Sequence, residues 1–155
     1  MPEKAILALS ISLLIVLAII MLVLIIFSAL ISGSEVAYFS LDAKKRDALS
    51  SEKSNQGNRV VTLLGAPKKL LATILIANNF INVSIVMVSY YFTKGVFANT
   101  ELPDTALFLI NVVGATFVIL LFGEVIPKVY ATKHSLSFSK FMSSPISLLS
   151  MIFAP

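Results

Sequence analysis

No cysteine occurs among the 155 residues, and histidine occurs once, as His134. That excludes a disulfide framework and thiolate metal centres, and one imidazole cannot make a cluster, so zinc, copper and iron–sulfur chemistry have no ligand set. Charge is scarce too. Asp, Glu, Lys and Arg make up 13% of the chain against 57% hydrophobic residues, roughly half the ~25% share of charge usual in soluble domains. With a mean hydropathy of +0.94, the chain reads as an all-α integral membrane protein. Its net charge of +4 gathers beside apolar runs, with no binding motif or interleaved aromatics, which favours a topology signal over a nucleic-acid footprint.

Residues 5–31 run without one charge. A signal-peptide core is ~7–15 residues, so this run is an uncleaved span, and at ~1.5 Å per residue it outreaches a ~30 Å bilayer core. Apolar runs place three transmembrane helices at about residues 6–33, 70–92 and 106–130 of one transmembrane domain, 1–155. Between the first two lie Lys44, Lys45, Arg46, Lys53, Arg59, Lys68 and Lys69, and after the third come Lys133 and Lys140. The positive-inside rule makes both segments cytoplasmic, with the N-terminus outside and the C-terminus inside a plasma (inner) membrane.

Residues 42–65 read as two short juxtamembrane amphipathic helices, the first capped by Asp42, with a turn at Asn55-Gln56-Gly57-Asn58, and Pro67 suits the first position of the next helix. Residues 135–154 are long enough for a fourth span. Lys140, Pro145 and the many serines argue instead for a helix pair lying at the inner interface against lipid. The chain stops at Ala154-Pro155, so either the protein is only its membrane part or a longer one is cut there.

Polar groups interrupt all three spans. Glu124 follows the apolar run 106–122, and a carboxylate at the centre of a span costs ~2.5–3.5 kcal/mol or more. Pro127 has no N–H for the carbonyl four residues back, which belongs to Gly123, so a backbone oxygen is freed beside that carboxylate. The plainer reading is an i,i+4 ion bridge from Glu124 to Lys128, worth tenths of a kcal/mol. Late in the first span stands Ser32-Gly33-Ser34-Glu35, with Ser28 one turn before Ser32. Early in the second, Asn78, Asn79 and Asn82 share a helix face. Small residues usually serve helix packing, and a lone Asn in a span an interhelical hydrogen bond; Asn111, nearly opposite Glu124 on its helix, is read that way.

The three clusters nonetheless fall at one depth, within ~10–15 Å of the cytoplasmic boundary at ~1.5 Å per residue. Hydroxyl, amide and carboxylate oxygens from three helices then face a common point, with one formal charge, or two if Glu35 joins. Such a set suits Mg2+, Na+ or Ca2+ rather than a transition metal. An intramembrane enzyme is a poor fit: Glu124 has no acidic partner on its helix, His134 lies outside the span, and no serine has a recognisable base.

Three stretches carry a family resemblance. Ser32-Gly33-Ser34-Glu35-Val36-Ala37, Leu71-Ala72-Thr73-Ile74-Leu75-Ile76-Ala77-Asn78-Asn79-Phe80-Ile81-Asn82 and Gly123-Glu124-Val125-Ile126-Pro127-Lys128 resemble, in order and spacing, the signatures of the CNNM/CorC (cyclin M-type) magnesium transporter membrane domain. The resemblance implies three spans with juxtamembrane helices, a homodimer, an extracellular N-terminus, and Mg2+ efflux coupled to Na+ influx. It also implies that the ion is held by Ser32, by Asn78 or Asn79 with Asn82, and by Glu124 with the Gly123 carbonyl. One departure stands out: the family usually has Gly where Ala77 stands. Full-length members continue into a helical bundle and a nucleotide-binding CBS pair, which is expected beyond this chain. The competing expectation is a non-transporting membrane anchor or dimerisation module for such a cytoplasmic domain.

Overall fold

In a computed structural model, which describes residues 2–52 and 54–153 with side chains from Ile11 onward, α1 runs unbroken over Pro2–Phe39. No proline or glycine interrupts it before Gly33, and the first polar motif stays helical. Its 38 residues reach about 57 Å at ~1.5 Å per residue, nearly twice a ~30 Å hydrocarbon core. Leu13, Ile15, Leu22 and Ile26 are exposed along it, as expected of a helix whose outward face meets lipid.

Helix α2 spans Ala43–Ser51, capped by the Asp42 carboxylate, which accepts from Lys45 N at 2.8 Å. The turn expected at Asn55–Asn58 lies earlier. Ser54 caps α3 (Asn55–Leu64) by accepting from Gly57 N at 3.0 Å, so residues 55–58 form its first turn. Gly57 serves close packing rather than a turn, because a Cβ there would stand 2.8 Å from the Leu49 carbonyl oxygen. Pro67 opens α4 (Pro67–Val96), where its missing N–H costs nothing.

The third span is compound: α5 (Asp104–Val118), a π-helical segment (Ile119–Val125), then α6 (Ile126–Lys133). Together with Ile11–Phe39, Pro67–Val96 and Ser135–Phe153, the stretch Asp104–Lys133 has the length and composition of a membrane span. Four helices therefore qualify where three were expected, and among the described residues there is no strand.

The fourth is α7 (Ser135–Phe153), one helix through Pro145 rather than a pair. Its serines misled because most face protein. Ser135, Ser139, Ser143 and Ser150 are buried, and the hydroxyls of Ser139 and Ser143 donate to Leu136 O and Lys140 O of their own helix. Small, internally satisfied side chains permit close approach. Tyr38 Oη donates to Ser139 O at 3.1 Å, and a Cβ at Gly33 would lie 2.8 Å from the Phe138 ring.

A buried apolar cluster sits at this end of the molecule, joining Tyr38 of α1, Leu49, Val60, Leu70 and Ile74 to Met142 and Ile146 of α7. Helix α7 packs against α1, α3 and α4, and an ion pair from Lys140 to Glu52 joins it to the end of α2. Residue 154, at the end of the expected segment, and Lys53 lie outside the described residues.

Candidate cation site

Three helices meet around one hydroxyl. Ser28 of α1, fully buried, donates to Asn82 Oδ1 at 2.8 Å and lies 3.5 Å from Asn78 Oδ1. A hydroxyl has one proton, so the shorter contact is the bond and the Asn78 carbonyl keeps its lone pairs. Asn82 Nδ2 in turn donates to Glu124 Oε1 at 3.2 Å. A relay from Ser28 through Asn82 to Glu124 therefore links α1, α4 and the π-helical segment.

The π-helical segment is what carries Glu124 there. Pro127 offers no N–H to Gly123, so an α-helical ladder cannot continue through it; instead Ile126 N–H bonds to Leu121 O, five residues back, and the turn widens. Short π segments of this kind commonly mark functional positions. Gly123 allows the widened turn to touch α1, because a Cβ there would stand 2.8 Å from Ser28 Oγ.

Ser32 lies one turn from Ser28 on the same face. Its Oγ is fully buried and has no hydrogen-bond partner, the single such side-chain atom among the described residues. Leaving a buried hydroxyl unpaired costs ~1–3 kcal/mol, so a group absent from the chain itself is the economical explanation. Among the described residues no three of His, Cys, Asp and Glu cluster. A cation here would be held by one carboxylate and neutral oxygens, a donor set for hard ions.

The structure does not bring every predicted residue together. Ser28, Asn78, Asn82, Gly123 and Glu124 come together, with Ser32 adjoining, while Asn79 is exposed on the surface of α4. The three amides do not share one environment, because a ~100° step per residue turns Asn79 away from the face that meets Ser28. Ser34 is buried but spends its proton on Leu30 O at 2.7 Å. Lys128 does not bridge to Glu124. It pairs with Glu35 across α1 and α6 at 3.1 Å, which also removes Glu35 as a second charge on the site. Ser28, ranked behind Ser32 from sequence, is the hub, and its position one turn before Ser32 was the available signal. Asn111 makes the expected packing bond, accepting from Thr93 Oγ1 at 3.4 Å.

The profile described as the cyclin M transmembrane N-terminal domain matches residues 19–155. A UPF0053 protein of Haemophilus influenzae is 34% identical over 138 residues, covering 88% of this chain and 31% of its own length. The UPF0053 inner membrane protein YfjD of Escherichia coli is 29% identical over 133 residues, covering 80% of this chain and 28% of its own. The chain thus spans less than a third of either relative. With the three motifs on three helices and the profile covering nearly all of it, the chain belongs to the CNNM (cyclin M) transmembrane domain family.

Proposed function

We propose that this domain carries Mg2+ across the membrane, exporting it in exchange for Na+, through an oxygen-lined site open to the cytoplasm in each subunit of a homodimer. The observation that carries this reading is the orphaned Ser32 hydroxyl beside the Ser28, Asn82 and Glu124 relay. Mg2+ demands near-octahedral oxygens at ~2.0–2.1 Å and gives up water reluctantly. One carboxylate balances Na+ fully and Mg2+ only in part, so the divalent ion would keep some of its water and leave readily, as a carrier requires. We read the site's near end as cytoplasmic and the N-terminus as outside from the basic residues of α2 and α3 under the positive-inside rule, and the relative named as an inner membrane protein is consistent with that membrane.

Calorimetric titration of the purified domain tests this. The unmodified chain is expected to bind Mg2+, and Ser32→Ala to weaken binding at least ~10-fold with helix content and assembly unchanged, about the effect of losing one supporting oxygen. Absence of Mg2+ binding by the unmodified chain would refute the reading.

A second reading has its own support. The relay already ties three helices together without an ion, so the cluster could act as glue in a membrane anchor or dimerisation module for a cytoplasmic CBS-type domain. In that case Ser32→Ala would change stability or assembly alone.

The homodimer has a separate indication in Asn79, an exposed amide on a helix that crosses lipid. A second subunit covering it would supply a partner worth ~0.6–2 kcal/mol. Asn79→Leu is therefore expected to raise the dimer dissociation constant roughly 3- to 30-fold, a range set by that energy, as read by energy transfer between labelled subunits. An unchanged constant would place Asn79 outside the interface.

A further inference from the structure

The polar face of α4 does not stop at Asn82. Asn78, Asn82, Ile85, Ser89 and Thr93 follow at steps of four, three, four and four residues, so they form one stripe toward the end of the helix away from α2 and α3. Beyond Ile85 the stripe borders a cavity of about 200 Å³ between α1, α4 and α5, lined by Ile85, Ser89, Thr93 and Asn111 among others. Several waters fit in such a volume. Ser89 and Asn111 are only 6% and 4% exposed.

Three polar side chains, Ser89, Thr93 and Asn111, line this otherwise apolar cavity. Ser89 donates its proton to Val86 O at 2.9 Å, and Thr93 donates to Asn111 Oδ1. Both hydroxyls therefore present lone pairs, and the Thr93 bond engages only the oxygen of the Asn111 amide. The two hydroxyl oxygens can accept from water and the Asn111 amide N–H groups can donate to it, a lining that suits water and the water shell of a hydrated ion. Ile85, 1% exposed, is both a wall of the cavity and the side chain between Asn82 and Ser89 on the stripe. It stands between the polar groups at Asn82 and those at Ser89, seven residues and ~10 Å apart along the axis of α4.

We infer that this cavity is the far-side vestibule of the ion route, where a cation that has passed Ile85 regains water before leaving. Ile85 is the apolar septum, closing by excluding water as hydrophobic constrictions do. The route rests on the carrier reading above, but the vestibule is tested without flux.

The chain contains no cysteine, so single cysteines report cleanly. In sealed cells, a membrane-impermeant cationic methanethiosulfonate added outside is expected to modify Ser89→Cys and Thr93→Cys, as it modifies Thr100→Cys in the α4–α5 loop, and to spare Ile85→Cys. Serine to cysteine is nearly isosteric, so folding is retained. If Ser89→Cys resists the reagent while Thr100→Cys reacts, or reacts only from the opposite face, the vestibule is overturned. Ile85→Ala is expected to raise cation leak at least ~10-fold in vesicles containing the domain, and an unchanged leak removes the septum. Should the outer cysteines react as expected while the domain binds no Mg2+, the vestibule stands and the carrier reading falls.

Discussion

Glu124→Gln is expected to abolish measurable Mg2+ binding while the domain stays folded and assembled. Glutamine keeps the length of the side chain and an oxygen that can accept from Asn82 Nδ2, which now bonds Glu124 Oε1 at 3.2 Å. The relay to Ser28 survives, and only the charge is lost. Since removing a group that merely supports a ligand costs ~10–100-fold in affinity, removing the sole formal charge should exceed ~100-fold. Calorimetry and Mg2+ flux into vesicles measure it, with circular dichroism as the control for folding. Full binding by the glutamine variant would end the assignment of this carboxylate.

The second large effect removes no candidate ligand at all. In Gly123→Ala the new methyl falls 2.8 Å from Ser28 Oγ and 3.4 Å from Ser28 Cβ. A serine has no flexible far end to swing away, so α1 or the π-helical segment must shift. Overpacking of this kind costs ~1–3 kcal/mol, and here it also pushes the hub hydroxyl off Asn82. Binding is expected to weaken at least ~10-fold and the unfolding midpoint in detergent to fall. Gly114→Ala supplies the contrast, since nothing lies within 4 Å of a Cβ there. That change should be neutral or stabilising by up to ~1 kcal/mol through helix propensity. Equal effects at the two glycines would show that close approach at Gly123 does not govern the site.

Much of this was legible in residue order, for reasons that differ by element. Spans could be read because lipid forbids unsatisfied backbone, so long uncharged runs have almost no alternative to helix. The Asp42 cap and Pro67 start are local chemistry and need no tertiary knowledge. The turn at residues 55–58 misled because glycine has two uses, φ freedom and close approach, and only the neighbouring Leu49 carbonyl decides between them. Serines in α7 misled likewise: polarity suggested water, whereas bonding to carbonyls of their own helix hides it.

Within the candidate site, spacing grouped Asn78 with Asn82, and Pro127 announced a disturbed turn at Gly123. Spacing failed for Lys128, where i,i+4 arithmetic named Glu124. The wide turn before Pro127 and the approach of α1 give it Glu35 instead. Sequence arithmetic assumes a regular α-helix, and the most informative part of this chain is where that assumption breaks.

Helix α1 bears Ser28 and Ser32 in its last third and Tyr38 near its end, where it is bonded to α7. An unkinked rod about 57 Å long acts as a lever: by ~1.5 Å rise per residue, a swing of about 5° about one end displaces the other by ~5 Å. The same swing about the α7 junction would move Ser28, ten residues from Tyr38, sideways by ~1.3 Å before any hydrogen bond inside the rod had to break.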